Sequence, residues 1–201
     1  MSEKRIENVI AAVLAGGSGS RIGGAKATAQ LDGRALISYP LEAALGALSQ
    51  VVVVAKADAE LPDELGRGVE LWIEPDAPRH PVIGVVEALR RAEGRAVVVI
   101  ACDLPLLTSE TVAMVASADA EGSLAVLASA AGRPQPLLAR YEPAALEPLL
   151  GFDTDGPMTE QVMALMPTLI DVPAEASFNV NDLEQLKEVS RRLRSSSEQA
   201  E

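Results

Sequence analysis

The sequence predicts an α/β protein: a mostly parallel sheet with helices on both faces. Short apolar runs alternate with helical stretches along most of the 201 residues, the pattern of helix-covered parallel sheets. The apolar runs are continuous rather than alternating, as strands buried on both faces are. The first run, Val9–Leu14, breaks straight into Gly16, Gly17, Gly19, Gly23 and Gly24.

After Val9–Leu14, strands are expected at Val51–Ala55, Val69–Ile73, Ala96–Ala101 and Leu124–Ala128, with a further one at Gln135–Tyr141. Helices are expected over Tyr39–Leu48, Pro81–Glu93 and Ser109–Ala118, and near Glu142–Leu150 and Met158–Met166. Asp182–Leu193 is amphipathic, with Leu183, Leu186, Val189 and Leu193 on one side. Acidic residues open it, and Lys187, Arg191, Arg192 and Arg194 close it, as the helix dipole favours. No repeat or long linker divides the chain, so residues 1–194 read as one domain and residues 195–201 as a disordered tail.

Composition narrows the function. The chain is 48% hydrophobic but only 2% aromatic, so its core is built of Ala, Val and Leu. A net charge of −12 argues against nonspecific nucleic-acid binding. It also means that an anionic ligand must be held by local cations and a metal. No apolar run reaches the length of a membrane span, and Met-Ser-Glu-Lys-Arg is not the start of a signal peptide. One cysteine, Cys102, allows no internal disulfide, and the expected location is the cytoplasm. The single histidine, His80, leaves little for a histidine triad or a multi-histidine metal site. The expected quaternary state is a monomer or small homo-oligomer, with no nucleic-acid or membrane partner.

The glycine-rich stretch can bring bare backbone N–H groups against an anion, because glycine has no Cβ in the way. Arg21 and Lys26, the only charges between Val9 and Lys26, supply cations where a polyphosphate would sit. Two familiar loops do not fit. Counting from Gly17, the sixth position of the dinucleotide fingerprint is Ile22 rather than glycine. Gly19 and Gly24 have the spacing of the ATPase phosphate loop, but Ala25 follows and the lysine comes one place late.

In open sheets of this kind ligands bind at the carboxyl ends of the strands, so the residue just past each strand matters most. Asp103 in Cys102-Asp103-Leu104-Pro105 stands there after the fourth run. A carboxylate at that point can hold Mg²⁺, which takes one or two protein carboxylates and completes its shell on substrate phosphates. Thr108 reads as the cap of the next helix. Cys102 reads as a small buried residue rather than a nucleophile. Before the last helix, Asn181 with Glu184 three residues on makes a capping-box-like pattern.

Leu14, Ala15, Gly16, Gly17, Arg21, Ile22, Gly23 and Lys26 resemble the signature of the sugar-nucleotide-type nucleotidyltransferases. The Leu-Ala-Gly-Gly opening is most similar to their molybdenum cofactor guanylyltransferase (MobA-like) branch. Cys102-Asp103-Leu104-Pro105 resembles that branch's Cys-Asp-x-Pro segment, and Asn179-Val180-Asn181 its Asn-Val-Asn segment. Asp76, Pro81 and Gly84 match the family's Asp and Gly-Pro-Leu-Ala-Gly stretch, although His80 stands in place of a glycine and Ile83 in place of an alanine. Gln135-Pro136-Leu137, Ala139 and Tyr141 resemble a segment that faces the acceptor in relatives, which brings Arg133 and Arg140 into consideration. Relatives carry basic residues where Asp153-Thr154-Asp155 stands.

The resemblance implies a single-domain Rossmann-like three-layer sandwich of the nucleotide-diphospho-sugar transferase type. It implies an enzyme that transfers GMP from GTP to molybdopterin, releasing pyrophosphate, with Mg²⁺ as cofactor. Arg21, Lys26 and Asp103 would be catalytic. Leu14, Ala15, Gly16, Gly17, Ser18, Gly19, Lys26, Asp76 and Asp103 would bind the nucleotide, with backbone N–H groups from Ala15 to Ser20 around the triphosphate. Asp103 and Asn181 would hold the metal. The alternatives are a cytidylyltransferase, a transferase for a different phosphorylated acceptor, or a noncatalytic nucleotide-binding domain.

Overall fold

The computed structural model describes residues 5–16 and 25–198, with side chains as far as Ser195. In chain order, β1 is Ile6–Leu14, β2 Gln30–Leu31, β3 Arg34–Ala35, α1 Ser38–Ala47 and β4 Leu48–Ala55. Next come β5 Glu70–Ile73, α2 Pro81–Arg91, β6 Ala96–Ala101 and α3 Ser109–Ser117. The remainder is β7 Ala125–Ala130, β8 Arg133–Tyr141, α4 Leu146–Leu150, α5 Met158–Met163, β9 Thr168–Val172 and α6 Leu183–Glu198.

Seven strands form one sheet in the order β5-β4-β1-β6-β8-β7-β9. Strands β5, β4, β1 and β6 run parallel, and β7 pairs parallel with β9. Only β8 is reversed, pairing antiparallel with both β6 and β7. Ala131 and Gly132, at φ 50° and 74°, make the two-residue turn between β7 and β8. Positive φ at both central positions suits the right-handed twist of the flanking strands.

The central strands are apolar on both faces. From β1, Val9, Ala11 and Val13 pack with Leu41 and Ala44 of α1 and with Val112 and Val115 of α3. Ile10 and Ala12 point the other way, onto Val82, Val85 and Leu89 of α2, with Leu149 of α4 and Val162 of α5 in the same cluster. This is the expected three-layer sandwich. Each fully buried Val or Ile contributes about 1.5–3 kcal/mol relative to exposure, so the two layers hold the sheet from both sides.

Several expectations need correction. The chain turns into β4 at Leu48 instead of continuing the helix of Tyr39–Ala47. The hairpin β2–β3 and the edge strand β9 were not expected. Asp32 and Gly33, at φ 49° and 80°, form the hairpin turn, and an Asp-Gly pair is a hairpin signal. Helix α6 runs to Glu198, past Leu193, so Ser195–Glu198 are helical rather than part of a disordered tail. Its apolar side buries Val189 and half-buries Leu186 and Leu193 against Leu31 and Leu36, whereas Leu183 is 54% exposed. Ser190 Oγ and Arg194 donate to the same oxygen of Asp32, each at 2.7 Å, fastening α6 over the hairpin.

Candidate active site

A cleft of about 470 Å³ opens at the carboxyl ends of the parallel strands. Each strand end contributes: Leu14 and Gly16 past β1, Lys56 past β4, Glu74 past β5, and Ala101, Cys102 and Asp103 at β6. Arg79, His80 and Pro81 enter at the start of α2, Leu137 comes from β8, and Lys26, Asn179 and Asn181 complete the lining from outside the sheet. Ladder bonds extend past the strands and fix this rim: Ala15 N–H donates to Val54 O (2.9 Å), Cys102 N–H to Leu14 O (3.2 Å) and Glu74 N–H to Ala55 O (2.9 Å).

Lys26, Asp103 and Asn181 meet at one point. Lys26 Nζ donates to Asp103 Oδ2 at 2.6 Å and to Asn181 Oδ1 at 2.6 Å. The lysine begins the short turn Lys26–Thr28, held in place by the buried Ala27 and by the Ile37 N–H bond to Ala27 O. Asn181 arrives because Val180 N–H donates to Asp103 O at 3.0 Å, tying the segment before α6 to the end of β6. Asn181 is not the helix cap. Asp182 Oδ1 accepts from Glu184 N–H and Gln185 N–H, and Gln185 reaches back to the Asn181 N–H at 2.7 Å. That division of labour leaves the Asn181 amide oxygen to face Lys26.

The donor set fits a hard cation. A carboxylate oxygen and an amide oxygen converge on one positive charge, which here is the Lys26 ammonium. Among the described residues no three His, Cys, Asp or Glu side chains group to hold a metal on their own. An ion at this point would therefore complete its shell with substrate oxygens and water, as Mg²⁺ does.

The same cleft is lined by a second, buried ion pair that the sequence reasoning missed. Lys56 Nζ stands 3.3 Å from Glu74 Oε1, with the two side chains 4% and 8% exposed. Lys56 also donates to Pro75 O at 2.5 Å. Burial pushes the Glu74 carboxyl above its ordinary range, Lys56 pulls it back, and Glu87 adds a smaller upward push. The available signal was the one that identified Asp103: a charge directly past a buried strand.

Not every expected residue is in the cleft. Asp76 is exposed in the loop after β5 and does not line it. The Ala15 N–H is spent on Val54 O, so it is not free to cradle a phosphate. Arg140 is buried, donating to Glu142 at 2.7 Å and to Ala116 O at 2.6 Å; it braces β8 and does not face an acceptor. Arg133 is exposed at the start of β8. His80 caps α2, its Nδ1 accepting from Val82 N–H at 3.2 Å, with Pro81 as the first helical residue. The Cys102 thiol is pushed up to about 12, first by burial and then by Asp103, which leaves it protonated and inert at neutral pH. Thr108 caps α3 as expected. Gly17, Ser18, Gly19 and Arg21 lie outside the described residues.

Fold and cleft together define a domain of the nucleotide-diphospho-sugar transferase type. The chain belongs to the MobA-like NTP transferase family, whose model matches residues 11–165. A Bacillus anthracis protein named as a probable molybdenum cofactor guanylyltransferase is 28% identical over 90% of this chain and 95% of its own length. A Bacillus licheniformis protein of the same name is 35% identical over 64% of this chain, and the match spans 66% of that relative. The crystal structure of the molybdopterin-guanine dinucleotide biosynthesis protein A of Archaeoglobus fulgidus shares the fold, with a TM-score of 0.69 at 23% identity over 92% of this chain and 99% of that one. No described helix is long and apolar enough to cross a membrane.

Proposed function

We propose that the cleft transfers GMP from GTP to the phosphate of molybdopterin and releases pyrophosphate. The reading rests on the family, on the names its relatives carry, and above all on the meeting of Lys26, Asp103 and Asn181 at the carboxyl ends of β1 and β6.

An oxygen of the acceptor phosphate forms a bond to the α-phosphorus. The bond from that phosphorus to the bridging oxygen breaks, and its electron pair leaves with pyrophosphate. The attacking phosphate is already ionised, so no general base is required. Catalysis then rests on positioning and on stabilising charge. Lys26 sets its ammonium against the triphosphate as negative charge builds on the leaving group, with Arg21 in the same role. By the family resemblance, backbone N–H groups of the glycine-rich stretch would surround the phosphates, and Leu14 and Gly16, which line the cleft, would bound the nucleoside. Asp103 and Asn181 would hold Mg²⁺, which when bound neutralises phosphate charge and orients the nucleotide. Among the described residues Lys26 is the cation at those two oxygens, so a metal and the lysine compete for them until a triphosphate offers Lys26 other partners.

The test is pyrophosphate release by the purified chain with Mg²⁺ and molybdopterin, comparing GTP, CTP, ATP and UTP. Release with GTP alone is the expected outcome. Release with CTP would keep the mechanism and change the base. Nucleotide binding without release from any of the four would overturn transfer to this acceptor.

A further inference from the structure

The Lys56–Glu74 pair is placed to do more than fill the floor of the cleft. Its carboxylate lies directly beneath two glycines from different elements. A Cβ on Gly16 would come within 3.1 Å of Glu74 Oε1, and a Cβ on Gly84 within 2.8 Å of Oε2. The same Cβ on Gly84 would also meet Leu14 Cδ2 at 3.1 Å. Only residues without a Cβ let the end of β1 and the first turn of α2 lie this close to the carboxylate, which itself lines the cleft. Lys26, Asp103 and Asn181, which line the same cleft, bond among themselves and not to Glu74.

Among the described residues Lys56 is the one side chain that pairs with Glu74, and the contact uses Oε1. A carboxylate is acceptor-only and offers about four lone-pair sites, so acceptor capacity remains, chiefly on Oε2. Lys56 also fixes the group by donating to Pro75 O. A buried, oriented acceptor of this kind selects a ligand edge that presents N–H donors and repels one that presents lone pairs.

We propose that Glu74, braced by Lys56, is the specificity-determining residue for the nucleobase, and that it selects guanine. The inference rests on the nucleotidyltransferase reading above and adds to it the residue that sets base choice. On its Watson–Crick edge guanine carries two adjacent donors, N1–H and the 2-amino group, which match two carboxylate lone pairs. Adenine and cytosine each set a ring-nitrogen acceptor beside their amino group. Uracil flanks its one N–H with two carbonyl oxygens. Each of these three turns a lone pair toward Glu74, and leaving or opposing a buried acceptor is what makes polar discrimination steep.

Calorimetric titration of the full chain with GTP, ITP, ATP and CTP in the presence of Mg²⁺ tests this. ITP keeps N1–H and lacks only the 2-amino group. The wild-type chain should bind GTP roughly 10- to 100-fold more tightly than ITP, the range for a hydrogen bond to a charged acceptor. Glu74→Gln should bring the two affinities within about threefold of each other. Because that variant leaves Lys56 unpaired in the interior, the double variant Lys56→Met/Glu74→Gln accompanies it. Having no buried charge, it should fold and show the same loss. Equal affinity for GTP and ITP in the wild type, or an unchanged preference in the double variant, overturns the role of Glu74 while leaving nucleotide transfer standing. Binding of none of the four nucleotides overturns both readings.

Discussion

One cleft contains two lysine–carboxylate pairs, and they are built for opposite purposes. Lys26–Asp103 is short, at 2.6 Å, and partly open, with side chains 18% and 9% exposed. It shares its cation with a neutral oxygen from Asn181. Lys56–Glu74 is longer, at 3.3 Å, closed over at 4% and 8% exposure, and pressed between glycines. The first has a cation that can exchange partners, because two oxygens and a solvent path surround it. The second has an anion that cannot move, because Lys56, Gly16 and Gly84 bound it on three sides. Phosphate chemistry needs charge that redistributes as bonds change, whereas recognition of a base edge needs an acceptor that stays in place.

The largest effect that would break this contrast lies at the first pair. Asp103→Ala and Lys26→Ala should each lower turnover by about 10²–10³-fold, with thermal unfolding near that of the wild type. A steady-state assay with near-normal turnover for Asp103→Ala would remove it from the site. At the second pair the loss should appear in folding. Lys56→Met leaves the Glu74 carboxylate buried alone, and urea unfolding should show about 3–5 kcal/mol less stability, most of it restored by adding Glu74→Gln. A fully stable Lys56→Met chain would mean that the pair is not buried in solution.

Smaller effects sharpen the comparison. If Lys26 occupies the cation position, Lys26→Met should bind Mn²⁺ several-fold more tightly than the wild type when no nucleotide is present, read by electron paramagnetic resonance of free Mn²⁺. Equal affinity would show that the ammonium does not compete for those oxygens. Smallest should be Asp182→Ala, which removes the α6 cap: about 1 kcal/mol of stability, with turnover lowered only as far as Asn181 shifts.

Much of the fold was legible from the sequence. The strands β1, β4, β6 and β7 follow from apolar runs that are buried on both faces, β5 and β8 were also expected although they are only partly buried, and α1–α3 follow from the stretches between them. Two elements were not read. β9 is a five-residue edge strand, half-buried, whose Thr168-Leu169-Ile170-Asp171-Val172 has no long apolar run. The β2–β3 hairpin has only two residues per strand, although Asp32-Gly33 marked its turn. In the site, Lys26, Asp103 and Asn181 were found because each lies in a recognisable segment. Lys56 and Glu74 were passed over because a lone charge after a strand has no motif around it, and Arg140 was misread because its burial depends on β8 lying inside the sheet.

By itself the sequence determined which segments are strands and helices, because hydrophobic period, caps and turn residues act over a few neighbours. It also determined the chemical inventory: one histidine, one buried thiol, and cations beside a glycine-rich turn. Tertiary structure decided which charges meet. Lys26 reaches Asp103 across 77 positions and Asn181 across 155, and both contacts exist only because β1 lies beside β6 and Val180 bonds to Asp103. Convergence over such distances is a property of the packed sheet, since no local preference of the chain specifies which strand end will face which.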